Sequence, residues 1–363
     1  MRIGIVTQPL RYNYGCILQN YALQLVLKRM GHQVVTLDGE VKTKHTLKRK
    51  LFILARNFFL FLRDGNKKIL GIIPFQTTDE ILSQNLNDFI RNNINKQKLS
   101  SYRANKFDAL IVGSDQVWRP SYSNLEEAYL EFAKNDNILK IAYAASFGSD
   151  SWEYSLKETI KYAKLAKLFD AISVREESGI VLCEKYLNVN CCQVLDPTML
   201  LTKEDYILNM DILSVEKSQG EIFYYFLDDN GFKQNVVNRI SLIFGKKSFT
   251  VNSKVENVKA RIDERIQPPI EKWLRAFHDA FFIVTDSFHG CVFSLLFNKP
   301  FILIANKKRG LARFYSLFNQ LNIVNRIVEE GSDFKIECFL KEPNVDLSIL
   351  RQKSYNFLNK YFL

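Results

Sequence analysis

Common catalytic signatures are missing from this chain. Its 15 glycines never form a G-x-G pair, so the dinucleotide-binding fingerprint is absent, and so is the phosphate-binding loop of nucleotide hydrolases. The sequence also lacks the H-E-x-x-H zinc motif and the G-x-S-x-G serine motif. These absences argue against a nicotinamide-dependent oxidoreductase, a P-loop kinase, a zinc protease and a serine hydrolase.

Cysteine is scarce, and its spacing is not that of a metal site or a disulfide framework. The six cysteines include no C-x-x-C pair, and no cluster of His, Cys, Asp and Glu shows metal-ligand spacing. We expect reduced, mostly buried thiols and no bound metal. The first residues form a strand pattern without the apolar core of a signal peptide. These features together predict a cytoplasmic protein.

The positive charge is concentrated in one segment. The 363 residues carry a net charge of +11, and residues 41–70 hold nine Lys or Arg against one Asp, which is +8 of that total. The segment is rich in Phe and Leu, but its apolar runs are too short to span a bilayer. Two interpretations stay open: a basic helix in peripheral contact with an anionic membrane, or a helix packed on the core with a solvated basic face. Nucleic acid is not an expected partner, because no binding motif is present.

Short apolar runs alternate with helical patterns along the chain. Residues 3–8, 16–30 and 33–38 predict strand, helix and strand, and a second alternating series begins near residue 219. This alternation predicts parallel sheets with right-handed crossovers. Because the chain exceeds one typical core, we expect an α/β protein with two Rossmann-like, doubly wound domains facing a cleft. The expected divisions are 1–200, 201–345 and a C-terminal helix, 346–363, placed to cross back to the first domain.

The segment TDSFHG, residues 285–290, joins an apolar strand to an apolar helix. His289 therefore lies where the carboxyl end of a strand meets a helix N-terminus, a place that favours anionic ligands in α/β proteins. A second polar cluster, residues 306–310, follows the next predicted strand and supplies Lys308 and Arg309. The two clusters predict a site for an anionic small molecule with a histidine available for proton transfer. The alternative is a histidine that only caps or packs the helix.

A series of short pieces, in order along the chain, resembles the polysaccharide pyruvyl transferase family. Each piece alone is a weak signal, but the series runs from residue 3 to about residue 314 and covers most of the chain. The pieces are IVTQP (5–9), NYGCILQNYAL (13–23), VGSDQVW (112–118), YAASFG (143–148), SVREES (173–178), LDPT (195–198), DSFHG (286–290) and residues 306–313.

The resemblance implies a fold similar to the GT-B glycosyltransferases and a transfer of pyruvate from phosphoenolpyruvate to a sugar. The product is a ketal on two hydroxyls of a cell-surface polysaccharide or of its lipid-linked precursor. The resemblance puts Arg175 and His289 in contact with phosphoenolpyruvate, with Ser287 and Gly290 in the same donor-binding turn. It adds a third cation, for which Arg309 is the best match, while Lys307 and Lys308 keep the assignment open. Phosphoenolpyruvate is then a co-substrate, and no cofactor is expected.

The chemistry of these residue types agrees with that donor. Phosphoenolpyruvate carries a carboxylate and a phosphate, and the planar fork of arginine binds either group. Ketal formation needs a proton on the methylene carbon, and histidine exchanges protons near neutral pH. His289 is therefore the candidate for proton transfer. Asp115 and Asp286 are candidate bases for the sugar hydroxyls, and equally candidates for turn or helix-capping carboxylates.

The polar loop after the first strand is expected to face the acceptor sugar, because amide and phenol groups suit hydroxyls. The alternative is that this loop only supports the fold. The expected acceptor-binding residues are Asn13, Tyr14, Gly15, Gln19 and Asp115.

Other interpretations compete with this one. Arg175 could simply pair with Glu176 or Glu177. A GT-B-like glycosyltransferase would share the architecture but use a nucleotide sugar. A non-enzymatic assembly protein of a glycan machinery would bind lipid without releasing phosphate.

Overall fold

The computed structural model describes residues 1–39, 78–255, 257–323 and 326–363, apart from the side chains of Thr78 and Lys308. The predicted basic segment, 41–70, lies outside the described residues. None of the helices within the described ranges is long and apolar enough to cross a membrane.

Seven parallel strands form the first sheet, in the order β3-β2-β1-β4-β5-β6-β7. The central strands β1, β2, β4, β5 and β6 are short and mostly buried, as expected for a parallel sheet covered by helices, whereas the edge strand β3 is polar and largely exposed. The strand order reverses where β1 pairs with both β2 and β4. In such sheets ligands bind outside the carboxyl ends of the strands at that reversal. The strands are β1 (Arg2–Val6), β2 (Gln33–Asp38), β3 (Lys96–Lys98), β4 (Ala109–Val112), β5 (Leu139–Ala145), β6 (Ala171–Val174) and β7 (Cys192–Gln193).

Five parallel strands form the second sheet, in the order β12-β11-β10-β8-β9. Here the order reverses where β10 pairs with both β8 and β11. The loops after β8 and β10 therefore lie side by side at a ligand-binding position. The strands are β8 (Ile222–Tyr225), β9 (Ser248–Phe249), β10 (Phe282–Thr285), β11 (Phe301–Ile304) and β12 (Ile327–Val328).

Helices connect the strands and bury their apolar sides against the sheets. The predicted α/β class with two parallel sheets is confirmed. In the described ranges the helices are α1 (Tyr14–Arg29), α2 (Thr78–Leu82), α3 (Gln84–Asn93), α4 (Leu125–Ala128), α5 (Leu156–Ala166), α6 (Glu177–Leu182), α7 (Lys203–Asn209), α8 (Gly231–Phe244), α9 (Ile262–Arg265), α10 (Ile270–Asp279), α11 (Phe288–Leu296), α12 (Ala312–Leu321) and α13 (Ser348–Phe362).

The two domains contact each other through aromatic packing and hydrogen bonds. The ring of Tyr14 stacks on Trp273 with centroids 5.3 Å apart, and its hydroxyl donates to the carbonyl of Pro268 at 2.8 Å. The N–H of Glu177 donates to Ser316 Oγ at 2.9 Å. Side chains from both domains therefore share one interface.

The C-terminal helix α13 packs on residues that follow the first sheet. Ser354 Oγ accepts from the N–H of Leu195 at 3.0 Å, and Arg351 Nε donates to the carbonyl of Met199 at 2.7 Å. Leu358 is fully buried in the core that also contains Ile3 of β1. The helix thus lies against the first domain although it follows the second in the chain.

Candidate active site

Arg175 and His289 meet at one carboxylate. Arg175 follows β6 in the first domain, and His289 is the second residue of α11 in the second domain. Arg175 Nη1 donates to Asp196 Oδ2 at 2.9 Å, and His289 Nε2 lies 3.7 Å from the same oxygen. The second contact is an ion-pair distance rather than a hydrogen bond. The structure therefore brings together the two residues that the sequence predicted as a donor site.

Asp196 is held in place by its own turn. Its Oδ1 accepts from the N–H of Thr198 at 3.0 Å and from Thr198 Oγ1 at 2.7 Å, while Ser114 Oγ donates to Oδ2 at 3.0 Å. Burial raises the pKa of Asp196, but His289, Arg175 and Thr198 outweigh it and hold the pKa well below its usual range. The buried carboxylate is therefore ionised at neutral pH. Asp196 belongs to the LDPT piece of the sequence, but no role was predicted for it.

Arg175 is a buried cation with hydrogen-bonding capacity to spare. Asp115 Oδ1 and Glu176 Oε2 each lie 3.6 Å from its guanidinium nitrogens, too far for hydrogen bonds. Its Nε and Nη2 have no hydrogen-bond acceptor. Burial lowers its pKa, but Asp196, Glu176 and Asp115 reverse that effect and raise the pKa. The group stays charged and retains donors for an oxyanion. Pairing with Glu176 is thus only part of its environment.

The imidazole of His289 packs on the first turn of α1. A Cβ atom on Gly15 would lie 1.9 Å from His289 Nδ1, so only glycine fits there. The ring of Phe288 meets the imidazole edge to face at 5.4 Å. Nε2 of the buried His289 has no hydrogen-bond partner. The ring is therefore fixed in position while one nitrogen remains available for a ligand.

Three of the predicted acceptor residues are used by the fold in this structure. Asn13 caps α1 by accepting from the N–H of Gly15 at 2.9 Å. Tyr14 is buried in the domain interface described above. Gln19 Nε2 donates to Thr7 Oγ1 at 2.9 Å, although its Oε1 has no partner. Gly15 itself lies against His289, so the structure brings it beside a predicted donor-binding residue.

Asp115 lies in the cluster, at the reversal point of the first sheet. It follows β4 with a backbone φ of 74°, a left-handed conformation that Asp tolerates better than most residues. Strained backbone of this kind is common at functional sites. Its carboxylate faces the guanidinium of Arg175. The candidate base is therefore close to the predicted donor residues.

Asp286 organises the loops at the reversal point of the second sheet. Its oxygens accept from the N–H of Leu227 at 2.7 Å and of Asp228 at 3.2 Å. They also accept from Lys233 Nζ at 2.6 Å and Asn306 Nδ2 at 3.2 Å. Its carboxylate therefore accepts four hydrogen bonds from the protein and holds these loops together.

Arg309 is oriented by a fork-to-fork ion pair. Its Nε donates to Asp228 Oδ2 at 2.6 Å and its Nη2 to Oδ1 at 3.1 Å. The hydrogen bond from Arg309 is the main reason that the pKa of Asp228 falls to about 2. The neighbouring Lys307 is exposed and pairs with Glu329, while the side chain of Lys308 lies outside the described residues.

Ser287 and Gly290 shape the turn that carries His289. Ser287 Oγ accepts from the N–H of Gly290 at 3.3 Å, which caps α11. A Cβ on Gly290 would lie 2.2 Å from Thr285 Oγ1. These two residues therefore set the position of the histidine.

Arg313 is a cation near the site that the sequence analysis did not single out. It is buried at the start of α12, and its guanidinium carbon lies 5.4 Å from the ring centre of Phe288. Arg175 lies over the same ring at 4.3 Å. Arg313 closes the RGLAR stretch at 309–313 within the last family piece, but no role was predicted for it from the sequence.

A cavity of about 660 Å³ opens beside the loops that follow β1 and β4. Its walls combine aromatic Tyr122 and Phe132 with three glutamates. Gln8 on its rim donates to the carbonyl of Gln116 at 2.9 Å, next to Asp115 in the chain. The sequence analysis did not predict these lining residues. They are Val6, Thr7, Gln8, Pro9, Gly39, Leu99, Val117, Tyr122, Ser123, Asn124, Glu126, Glu127, Ala128, Glu131 and Phe132.

Within the described part of the chain, no group of three or more His, Cys, Asp or Glu side chains could hold a metal ion. The expectation of a reaction without metal or cofactor stays a prediction.

Several solved structures are similar to this chain over nearly its whole length. A UDP-GlcNAc 2-epimerase from Methanocaldococcus jannaschii is similar with a TM-score of 0.52 and 12% identity, over 99% of this chain and 100% of that chain. UGT89C1 from Arabidopsis thaliana, complexed with UDP-L-rhamnose, gives a TM-score of 0.50 and 11% identity, over 99% and 98%. At such identities the likeness shows the fold alone, which is GT-B-like. No curated protein matches the sequence.

A family model described as polysaccharide pyruvyl transferase matches residues 13–308. That range includes Gly15, Asp115, Arg175, Asp196 and His289, and it covers most of the chain. The chain belongs to the polysaccharide pyruvyl transferase family.

Proposed function

We propose that this enzyme transfers pyruvate from phosphoenolpyruvate to two hydroxyls of a sugar, forming a ketal and releasing phosphate. The observation that carries the proposal is the meeting of Arg175 and His289 at one oxygen of Asp196, at 2.9 and 3.7 Å. At this carboxylate the guanidinium of Arg175, which can bind an anion, lies close to the imidazole of His289, which can transfer a proton. The donor needs both functions at adjacent positions.

The free donor nitrogens support binding of a strongly anionic donor. Arg175 Nε and Nη2 and His289 Nε2 are buried without acceptors. Buried donors of this kind are normally paired, and a carboxylate or phosphate oxygen would pair them. The Asp196 carboxylate lies between the two side chains, 2.9 Å from Arg175 Nη1 and 3.7 Å from His289 Nε2, and so holds them close together.

The first step is addition across the donor double bond. His289 gives a proton to the methylene carbon, which becomes a methyl group and leaves an oxocarbenium-like centre on C2. A sugar hydroxyl attacks that carbon and loses its proton to Asp115 or back to the imidazole. General acid–base help of this kind is worth about 10²- to 10⁴-fold in rate.

The second step closes the ketal. The C2–O bond to phosphate breaks, and the phosphate leaves with the bonding electron pair. The second sugar hydroxyl attacks C2, and its proton ends on the departing phosphate. The reaction is balanced without an oxidant, a reductant or a metal ion. Arg175 and Arg309 are the cations that would stabilise the leaving phosphate.

We further propose that the acceptor sugar occupies the cavity beside the β1 and β4 loops. Tyr122 and Phe132 offer faces for sugar rings, and Gln8, Ser123 and Asn124 offer hydrogen bonds to hydroxyls. The cavity borders the loop of Asp115, so a hydroxyl bound there would be near the candidate base. The acceptor belongs to a cell-surface polysaccharide or to its lipid-linked precursor.

An assay of phosphate release tests the proposal. Purified full-length protein is incubated with phosphoenolpyruvate and a panel of sugar acceptors, and in parallel with a panel of nucleotide sugars. We expect phosphate release that depends on the acceptor, and a product heavier than the acceptor by one pyruvic acid less one water. Turnover of a nucleotide sugar with none of phosphoenolpyruvate would instead establish the glycosyltransferase alternative, which the GT-B-like fold keeps in view.

A further inference from the structure

Arg313 is buried without a carboxylate partner. Only one of its hydrogen bonds appears among the described residues: Nη2 donates to the carbonyl of Arg309 at 3.1 Å. Its Nε is buried with no acceptor, and no described carboxylate lies within ion-pairing distance. A buried charge without a counter-ion costs several kcal/mol. This cation therefore needs another source of negative charge.

A second arginine lies on the same aromatic ring. The guanidinium carbons of Arg175 and Arg313 lie 4.3 and 5.4 Å from the ring centre of Phe288. Burial, with Arg175 as the largest charged contributor, lowers the pKa of Arg313 to about 10. Two like charges kept close together in a buried place repel each other. An anion between or beside them would reduce the repulsion and would accept the hydrogen bonds that these guanidinium groups lack.

The two arginines belong to different domains. Arg175 follows β6 of the first sheet, whereas Arg313 begins α12 after β11 of the second sheet. Close by, Gly310 approaches the first domain so closely that a Cβ would lie 2.4 Å from the carbonyl oxygen of Gly148. An anion held by both arginines would therefore also join the two domains.

We infer that Arg313 is a donor-binding residue that, with Arg175, clamps the anionic groups of the donor from both domains. The inference rests on the proposed function for the identity of the donor as phosphoenolpyruvate. The donor carries a carboxylate and a phosphate, so each arginine can engage an oxyanion. The unpaired Nε of Arg313 would then gain an oxyanion acceptor only when the donor is bound.

Arg326 provides a matched control. It is also a buried arginine of the second domain, and it lies 5.0 Å from the ring centre of Phe301. In contrast to Arg313, it donates to three backbone carbonyls, those of Phe301, Phe339 and Lys341, at 3.4, 3.1 and 2.6 Å. Its hydrogen bonds are therefore made within the protein.

The test is calorimetric titration of the full-length chain with phosphoenolpyruvate, without acceptor, in wild type, Arg313→Met, Arg313→Lys and Arg326→Met. We expect Arg313→Met to weaken binding by about tenfold or more, the scale of a charge-assisted hydrogen bond. Arg313→Lys keeps the charge but loses the fork, so its affinity should be intermediate. Arg326→Met should bind as wild type does.

Thermal unfolding separates binding from folding. Without ligand, Arg313→Met should melt at the wild-type temperature or above it, because a buried unpaired charge is removed. Arg326→Met should melt lower, because three carbonyls lose their donor. Wild-type affinity in Arg313→Met would overturn the inference, and so would a lowered melting temperature with unchanged affinity.

The same titration with UDP in place of phosphoenolpyruvate separates the proposed function from the role of Arg313 in binding an anion. If the wild-type protein does not bind phosphoenolpyruvate but binds UDP through Arg313, the proposed function is wrong and the role of Arg313 in anion binding stands. A wild-type protein that binds neither anion would reject the clamp. If Arg313→Met does not fold, the comparison of Arg313→Lys with wild type decides.

Discussion

His289 Nδ1 lies against the backbone of Gly15, so close that a Cβ atom there would be 1.9 Å away. The contact joins the first helix of one domain to the proton-transfer candidate of the other. It makes a glycine in the first turn of α1 a steric requirement of the site. The NYG piece of the sequence is thereby linked to the position of the His289 imidazole.

Replacing Gly15 with Ala should displace the imidazole of His289 and lower turnover. Misplacement of a catalytic group by about 1 Å can cost about 10²-fold in rate. Steady-state rates of phosphate release would measure the effect. Gly231→Ala is the matched control, because Gly231 also lies in the first turn of a helix and has nothing within 4 Å of a Cβ. Equal rates for both variants would refute the steric role.

Removing the side chain of either predicted donor-binding residue should lower turnover by about 10²-fold or more. The variants are His289→Ala and Arg175→Ala, and Arg175→Ala should also raise the KM for phosphoenolpyruvate. His278→Ala serves as the control, since His278 lies outside the cluster and contacts Asp279. Near-wild-type kinetics in both site variants would exclude them from the active site.

Asp196→Asn should destabilise the protein in a pH-dependent way. The native pKa of Asp196 is depressed, so its stabilisation is fully present above the unfolded pKa of about 3.9 and is lost as pH falls through the lower native pKa. Breaking a buried ion pair costs about 3 kcal/mol. Denaturant unfolding of wild type and variant should show this difference from pH 7 down to about pH 4. A difference that vanishes between pH 7 and pH 5 would contradict the assignment.

Asp115 and Asp286 should respond differently to the Asp→Asn change. Asp115→Asn should lower turnover with little change in melting temperature, since the contact of its carboxylate with Arg175 is 3.6 Å long and is not a hydrogen bond. Asp286→Asn should lower the melting temperature, because it weakens the hydrogen bond to the buried Lys233. Unfolding scans and phosphate release on the same preparations would compare them. Loss of stability in Asp115→Asn alone would reverse the two roles.

The basic segment at 41–70 remains a sequence prediction. Its charge should attract it to anionic lipid by about 1 kcal/mol per basic residue near the surface, and the attraction should fade with salt. Changing Lys48, Arg49 and Lys50 to Glu should abolish sedimentation with anionic vesicles while leaving activity on a soluble acceptor. If the wild-type protein does not sediment with such vesicles at low salt, the interpretation that remains is a helix with a solvated basic face.

Much of the local structure followed from the sequence. The helix expected at residues 16–30 is observed at Tyr14–Arg29, and the strand before His289 is observed at Phe282–Thr285. Apolar periodicity and short buried runs specify such elements because each depends on neighbours within a few residues. The same local patterns, with the ordered family pieces, established the α/β class and the family.

What the sequence could not determine was which polar side chains share a partner. Asp286 and Asp115 follow strands in the same way, yet four protein hydrogen bonds occupy the first, while the second lies beside Arg175. Asp196 and Arg313 reach the site from positions far apart in the chain. Only the packing of the two domains through their helices and loops sets these distances, because burial and pairing of charges depend on residues from both domains.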